Sequence, residues 1–255
     1  MKSVAVIPVH GRLAIISYTI RRLLEINKFD HVICVGGEQE KTICEKAGAE
    51  FHIHPNKPLG RKLNFGFEKA REHKPDIVSY IGSTNWLSPS WLSVLSPLLR
   101  DAWMVGKPDF NIVKIEGEEY DMIRWLHYPR QKMKLRHYLL SKGEREFIKA
   151  GGRMNEPVGI GRLLRSDFLD KIDWKPFDEN KNRNMDSEMM YQIASNQGTY
   201  SLCRDNKAQS LKIASSSWES LNSYDMYLLM PTVKEIITPI EFLLVWFPDA
   251  LKLKL

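Results

Sequence analysis

The sequence predicts an α/β protein built on a mostly parallel central sheet flanked by helices. Three observations carry this. Short apolar runs of strand length recur through the first hundred residues, helix-length stripes separate them, and the connections between them are short. Strand and helix in strict alternation mean crossover units and a parallel sheet.

Ser3–Val9 is a continuous apolar run, as expected for a strand buried on both faces, and ends at a Pro-containing loop. Leu13–Asn27 carries Leu13, Ile16, Ile20, Leu23 and Leu24 on one helical stripe. His31–Val35 is a second buried strand, followed by Gly36-Gly37. Glu38–Ala47 suits a helix, with Gly48 placed to cap its C-terminus. Glu50–His54 is a third strand, and Arg61–His73 repeats helical spacing at Leu63, Phe67 and Ala70. Asp76–Ile81 is a fourth strand, and Pro89–Leu99 starts a helix that Pro97 interrupts. The second half is less regular. Asn111–Ile115 reads as a strand, Arg162–Asp170 as a strand running into a short helix, and Asp178–Asn184 as a loop. Met185–Asn196 reads as a helix and Tyr200–Cys203 as a strand.

Composition narrows the class. The 255 residues are 43% hydrophobic and 27% charged, which excludes global disorder and supplies a core. Lys and Arg number 37 against 31 Asp and Glu, a net charge of +6. That excess favours anionic partners such as nucleotides, nucleic acid or a membrane surface, or is simply a lysine-rich solvated surface. Cys34, Cys44 and Cys203 form no CxxC or Cys/His cluster, so neither a disulfide framework nor a structural zinc site is expected. The opening MKSVAVIPVHGR has too short an apolar run for a signal peptide, and no stretch approaches a membrane-spanning length. A cytoplasmic setting is the expectation.

Ligands of parallel sheets bind at the carboxyl ends of the strands. That selects Pro8–Arg12, Gly36–Glu38, Pro58–Asn64 and Gly82–Trp86. In IPVHGR, the proline fixes the turn and brings His10 and Arg12 to the sheet edge, where an arginine can pair with phosphate. In PNKPLGRKLNFGF, Gly60, Arg61, Lys62 and Asn64 sit at a helix start, a good anion site unless those cations simply face water. Neither GxGxxG nor GxxxxGK[ST] is present, so dinucleotide and P-loop fingerprints are absent.

These segments resemble those of GT-A glycosyltransferases, particularly the family 2-like nucleotide-sugar transferases. VAVIPVHGR, GRKLNFGFEKA and SYIGSTNWLSPSWL carry the likeness, with GIGRLLRSDFLDKIDW and NMDSEMMYQIA as a further match. Together they run from about residue 3 to 200, and their order is more specific than any one of them. The resemblance implies a GT-A type, Rossmann-like domain over residues 1–215, with a nucleotide-binding half (1–110) and an acceptor half (111–215). A C-terminal helical extension over 216–255 would follow. It implies sugar transfer from a nucleoside-diphosphate sugar, UDP-linked among the options, to an acceptor such as a glycan, lipid or nucleic acid. Pro8, His10, Arg12, Glu38, Arg61, Lys62 and Asn64 would line the nucleotide pocket, Ser83, Thr84 and Asn85 fall on the family's metal-binding turn, and Asp186 would be the catalytic base.

Sugar transfer leaves negative charge on the departing diphosphate, which a divalent cation or a Lys/Arg cluster can neutralise, and inversion needs a carboxylate to take the acceptor's proton. Glu188, two residues after Asp186, would point elsewhere on a helix. The turn departs from the family: Ser83, Thr84 and Asn85 offer only neutral oxygens, whereas Mn²⁺ and Mg²⁺ favour carboxylates. Three readings follow. A metal binds through Asn85 and the diphosphate with help from an acid such as Asp186; cations from Arg12, Arg61, Lys62 or 124–136 replace the metal; or the chain binds without turnover. The basic, aromatic segment 124–138 is a lid, a nucleic-acid contact, or an amphipathic helix. The terminal TPIEFLLVWFPDALKLKL docks on the core or lies on a membrane face. A nucleotidyltransferase and a non-catalytic nucleotide- or nucleic-acid-binding protein are the competing classes.

Overall fold

The computed structural model describes residues 1–116, 122–129, 157, 159–183, 185–215 and 245–248. In chain order the elements are β1 (Ser3–Pro8), α1 (Leu13–Arg21), β2 (His31–Gly36), α2 (Glu38–Lys46), β3 (Glu50–Ile53), α3 (Leu59–Glu72), β4 (Ile77–Tyr80), β5 (Asn85–Leu87) and α4 (Trp91–Leu95). They continue with β6 (Met104–Gly106), β7 (Asp109–Glu116), β8 (Met122–Pro129), β9 (Arg162–Arg165), α5 (Ser166–Lys171), α6 (Met185–Ser195), β10 (Tyr200–Leu202) and β11 (Ser210–Ser215).

The described strands form two sheets. The larger has the order β10-β6-β9-β4-β1-β2-β3. Within it β1 pairs in parallel with β2 and β4, β2 with β3, and β6 with β10. Strand β9 is inserted antiparallel to both β4 and β6. The predicted mostly parallel, helix-flanked sheet is therefore the sheet observed. Strand β1 shows why its sequence lacks polar alternation. Val4 and Val6 join Leu63, Phe67 and Ala70 of α3 on one face. Ala5 and Ile7 join Ile16, Ile20 and Trp91 on the other. Each buried Val, Leu, Ile or Phe among them contributes about 1.5–3 kcal/mol.

Several expected boundaries shift. The first helix closes in a π-helical turn, Arg22–Ile26, and α3 begins at Leu59 instead of Arg61. The expected helix over Pro89–Leu99 is split into α4 and a 3₁₀ turn, Ser96–Arg100, with Pro97 at its start, where a missing N–H costs least. Gly48 takes the left-handed conformation (φ 98°) expected of it after α2.

The second sheet, β5-β11-β7-β8, was not expected as a unit. In the basic segment, Met122–Pro129 is a strand paired antiparallel to β7, not part of an amphipathic helix; residues 130–138 lie outside the described residues. Most of the proposed extension over 216–255 also lies outside them. Its described piece, 245–248, docks on the core. Phe247 is fully buried, with the Arg22 guanidinium 4.8 Å from its ring and 5.1 Å from that of Trp86. Arg22 also donates to the carbonyls of Leu87 and Trp246. No helix among the described residues is long and apolar enough to cross a membrane.

Candidate active site at the carboxyl edge of the sheet

The loop after β1 is held from below. Val9 N–H donates to the Val35 carbonyl at 2.9 Å. Gly11 N–H donates to Glu40 Oε1 at 2.8 Å, while Glu40 Oε2 accepts the Gly37 N–H at 2.7 Å. One fully buried carboxylate thus ties the ends of β1 and β2 together. Gly11 and Arg12 both adopt left-handed backbone (φ 60° and 58°). For arginine this costs roughly 1–2 kcal/mol, which the surrounding bonds offset. Pro8 is half-buried, His10 exposed, and Arg12, at the start of α1, partly buried, which lowers its pKa. Glu38, the acidic residue singled out by sequence, is exposed; Glu40 is the one turned inward.

The third connection departs from the anion site anticipated there. Lys62 is 1% exposed and donates to the Val9 carbonyl at 2.6 Å and Asn56 Oδ1 at 3.0 Å. Burial pushes its pKa down to about 8, against the pull of Glu40 and Cys34. Asn64 exchanges two bonds with the backbone of Phe177, at 2.8 and 3.1 Å. Arg61 is exposed. The start of α3 is itself covered: Gly60 N–H donates to the Lys181 carbonyl and Leu59 N–H to Asn182 Oδ1. The structure therefore places Lys62 and Asn64 inside the fold as braces, with the 178–182 loop over the helix end.

The turn after β4 is anchored on both sides. Ser83 and Thr84 are 5% and 4% exposed. The Ser83 carbonyl accepts from Thr19 Oγ1 at 2.9 Å, and the Thr84 carbonyl accepts from Ile213 N–H at 2.9 Å. Asn85 is half-buried, with its amide over Gly82, where a Cβ would come within 2.7 Å of it. Across the β5/β11 pair, Asn85 stands opposite Lys212. Burial first, and Arg12 second, push the Lys212 pKa down to about 8. The turn holds no carboxylate, and two of its carbonyls already accept hydrogen bonds. Among the described residues no group of three or more His, Cys, Asp or Glu is poised to hold a metal. This donor set does not fit Mn²⁺ or Mg²⁺.

Asp186 reaches the same edge from the first turn of α6. Arg162, 1% exposed, donates to the carbonyls of Asp186 (2.8 Å) and Pro157 (2.6 Å) and stands 4.0 Å from Asp186 Oδ2. Tyr80, the last residue of β4, has its pKa pushed up to about 12 by burial and then by the Asp186 carboxylate, against Arg162. The Asp186 side chain remains 29% exposed, so a substrate can reach it. Glu188 pairs instead with Lys181. Asp186 thus stands beside Tyr80 at the end of β4, Arg12 follows β1 and the Ser83–Asn85 turn follows β4, while Lys62 and Asn64 lie inside the fold. Sequence reasoning missed Glu40, Tyr80, Arg162 and Lys212.

No family model matches the chain, and no curated protein matches it. Solved structures similar to it include glucosyl-3-phosphoglycerate synthase from Mycobacterium tuberculosis in complex with phosphoglyceric acid, at 16% identity and TM-score 0.41, covering 66% of this chain and 58% of that one. The same synthase in complex with Mn²⁺, uridine diphosphate and phosphoglyceric acid gives 15% identity and TM-score 0.47, covering 84% and 68%. S. aureus TarS 1-349 gives 12% identity and TM-score 0.47, covering 85% and 58%. This chain thus spans less than two thirds of two of these three. The fold stands on its own strand order: a mostly parallel sheet flanked by helices, as the GT-A resemblance implies.

Proposed function

We propose that the protein transfers a sugar from a nucleoside-diphosphate sugar to an acceptor hydroxyl, with Asp186 as the base. The observation that carries this is the position of Asp186, a partly exposed carboxylate beside Tyr80 at the carboxyl end of β4, where ligands of such sheets bind. In the transfer, the bond from the anomeric carbon to the diphosphate oxygen breaks as the acceptor oxygen bonds to that carbon from the opposite face. The acceptor's proton passes to Asp186, and the bond electrons leave with the diphosphate. Arg162 holds the Asp186 backbone and stands beside its carboxylate, fixing the base against the sheet. A divalent cation would stabilise the leaving group in other enzymes of this chemistry; the Ser83–Asn85 turn lacks the donors to hold one.

The test is a thermal-shift panel of nucleoside diphosphates and their sugars, with and without Mn²⁺, followed by turnover of Asp186→Asn. At a ligand concentration of about 100 Kd, binding adds about 2.7 kcal/mol, a rise of about 5–10 °C. Asp186→Asn is expected to abolish transfer and keep nucleotide binding. Turnover retained in that variant would remove Asp186 as the base. A non-catalytic nucleotide binder, which the uncharged turn favours, would show the thermal shift with no turnover in the unmodified protein.

A further inference from the structure

We infer that Arg12 and Lys212 together form the anion site that neutralises the departing diphosphate, in place of a carboxylate-held divalent cation. This rests on the transferase reading above and names the chemistry of its donor site. The two side chains come from opposite sides of the same turn. Arg12 follows β1, the parallel neighbour of β4, with Val6 in register with Tyr80. Lys212 lies on β11 opposite Asn85, and the adjacent Ile213 N–H is bonded to the Thr84 carbonyl. Both cations therefore flank the Gly82–Asn85 segment, where the family resemblance puts metal-binding carboxylates.

The fold keeps this pair together at a cost. Two like charges that are partly withdrawn from water repel each other and lose hydration. Burial first, and Arg12 second, lower the pKa of Lys212. Arg12 also holds a left-handed backbone, fixed by the Gly11–Glu40 bond and by Lys62 beneath Val9. Strain and crowded charge held by rigid neighbours are typical of binding sites. A diphosphate carries charge of the opposite sign, and arginine and lysine are the residues that grip phosphate oxygens. The other cations anticipated for this role are placed differently: Lys62 lies inside the fold beneath Val9, and Arg61 is exposed beside a covered helix start.

The experiment is calorimetric titration of the full chain with UDP, GDP, ADP and CDP in EDTA, and again with Mn²⁺. The unmodified protein is compared with Lys212→Gln, Arg12→Gln and Lys212→Arg. At least one diphosphate is expected to bind equally well in EDTA and in Mn²⁺. Lys212→Gln and Arg12→Gln should each weaken it about tenfold to a hundredfold, the worth of one charged hydrogen bond. Lys212→Arg should stay within about threefold, and the matching nucleoside should bind all four proteins alike. Arg12→Gln probes the pair from the first sheet, so a folding defect in Lys212→Gln leaves the test intact. Unchanged affinity in both glutamine variants overturns the inference. Binding that requires Mn²⁺ also overturns it while leaving sugar transfer standing. No binding of any diphosphate under either condition overturns the transferase reading itself.

Discussion

Replacing Gly60 with alanine tests the loop that leads into the Asp186 helix. A Cβ there would lie 1.9 Å from the Asp178 carbonyl oxygen and 2.9 Å from its carbon, both backbone atoms. Helix α3 cannot retreat, because a Cβ at Gly66 would already be 2.6 Å from Val6 Cγ1, so close is its packing on β1. The 178–182 loop must therefore lift by about 1 Å or more to restore ordinary contact. That weakens the Gly60–Lys181 and Leu59–Asn182 bonds, each worth about 1 kcal/mol. Overpacking adds about 1–3 kcal/mol, and alanine's better helix propensity returns about 1 kcal/mol. The net loss is about 1–4 kcal/mol, read by urea unfolding. A shift of about 1 Å at a reacting group can lower turnover by about a hundredfold. The variant should therefore lose turnover steeply while nucleoside-diphosphate affinity stays within about threefold. An alanine variant as stable as the parent would show that the loop does not rest on Gly60. A destabilised variant with full turnover would show that the loop does not position Asp186.

Two further substitutions probe the braces beneath the site. Glu40→Gln keeps the shape but turns an amide nitrogen toward an N–H donor of Gly11 or Gly37, and should cost about 1–3 kcal/mol in chemical unfolding. It should also weaken diphosphate binding through the Arg12 loop; unaltered stability would show that the Glu40 bonds do not hold the loop. Lys62 gives a pH signature. Its folded pKa is depressed to about 8 from 10.5, so between those values the unfolded chain holds a proton that the folded chain does not. Stability should therefore rise with pH across that window, by about 2 kcal/mol from about pH 7.5 to 9.5. Lys212, its pKa also lowered to about 8, adds a rise over the same window, so Lys62→Met should lose the Lys62 share and keep the rest, and parallel stability curves for the two proteins would rule out a Lys62 contribution.

The first half of the fold was legible because β1, β2 and β4 are largely buried and its helices carry apolar stripes, both local signals. Gly48 was legible for the same reason: a left-handed cap has a residue preference of its own. Lys212 was not, because its place depends on pairing β11 with β5, a three-residue strand far away in the chain. Local periodicity carries no information about such a pair. The burial of Lys62 was hidden for a different reason. Lysine in an amphipathic helix ordinarily faces water, and the Val9 carbonyl and Asn56 Oδ1 together make an inward position tolerable. Glu40 did leave a trace. It stands three residues after Gly37, the spacing at which a glutamate reaches back to the N–H before its helix.

The uncharged turn and Lys212 are linked by register. Residues opposite each other in an antiparallel pair have Cβ atoms about 4.5–5.5 Å apart. Asn85 and Lys212 are such a pair. An aspartate at position 85 would face the Lys212 ammonium, with Arg12 close by, and would form an internal ion pair where the substrate's charge is needed. A carboxylate turn and a cationic β11 are thus alternatives: the first requires a metal to reverse its sign, and the second supplies positive charge directly. Asparagine at 85 keeps a hydrogen-bonding side chain at the turn without cancelling the cations. On this view the absence of carboxylates from Ser83–Asn85 accompanies a change in the source of positive charge. It is not by itself a sign that catalysis has been lost.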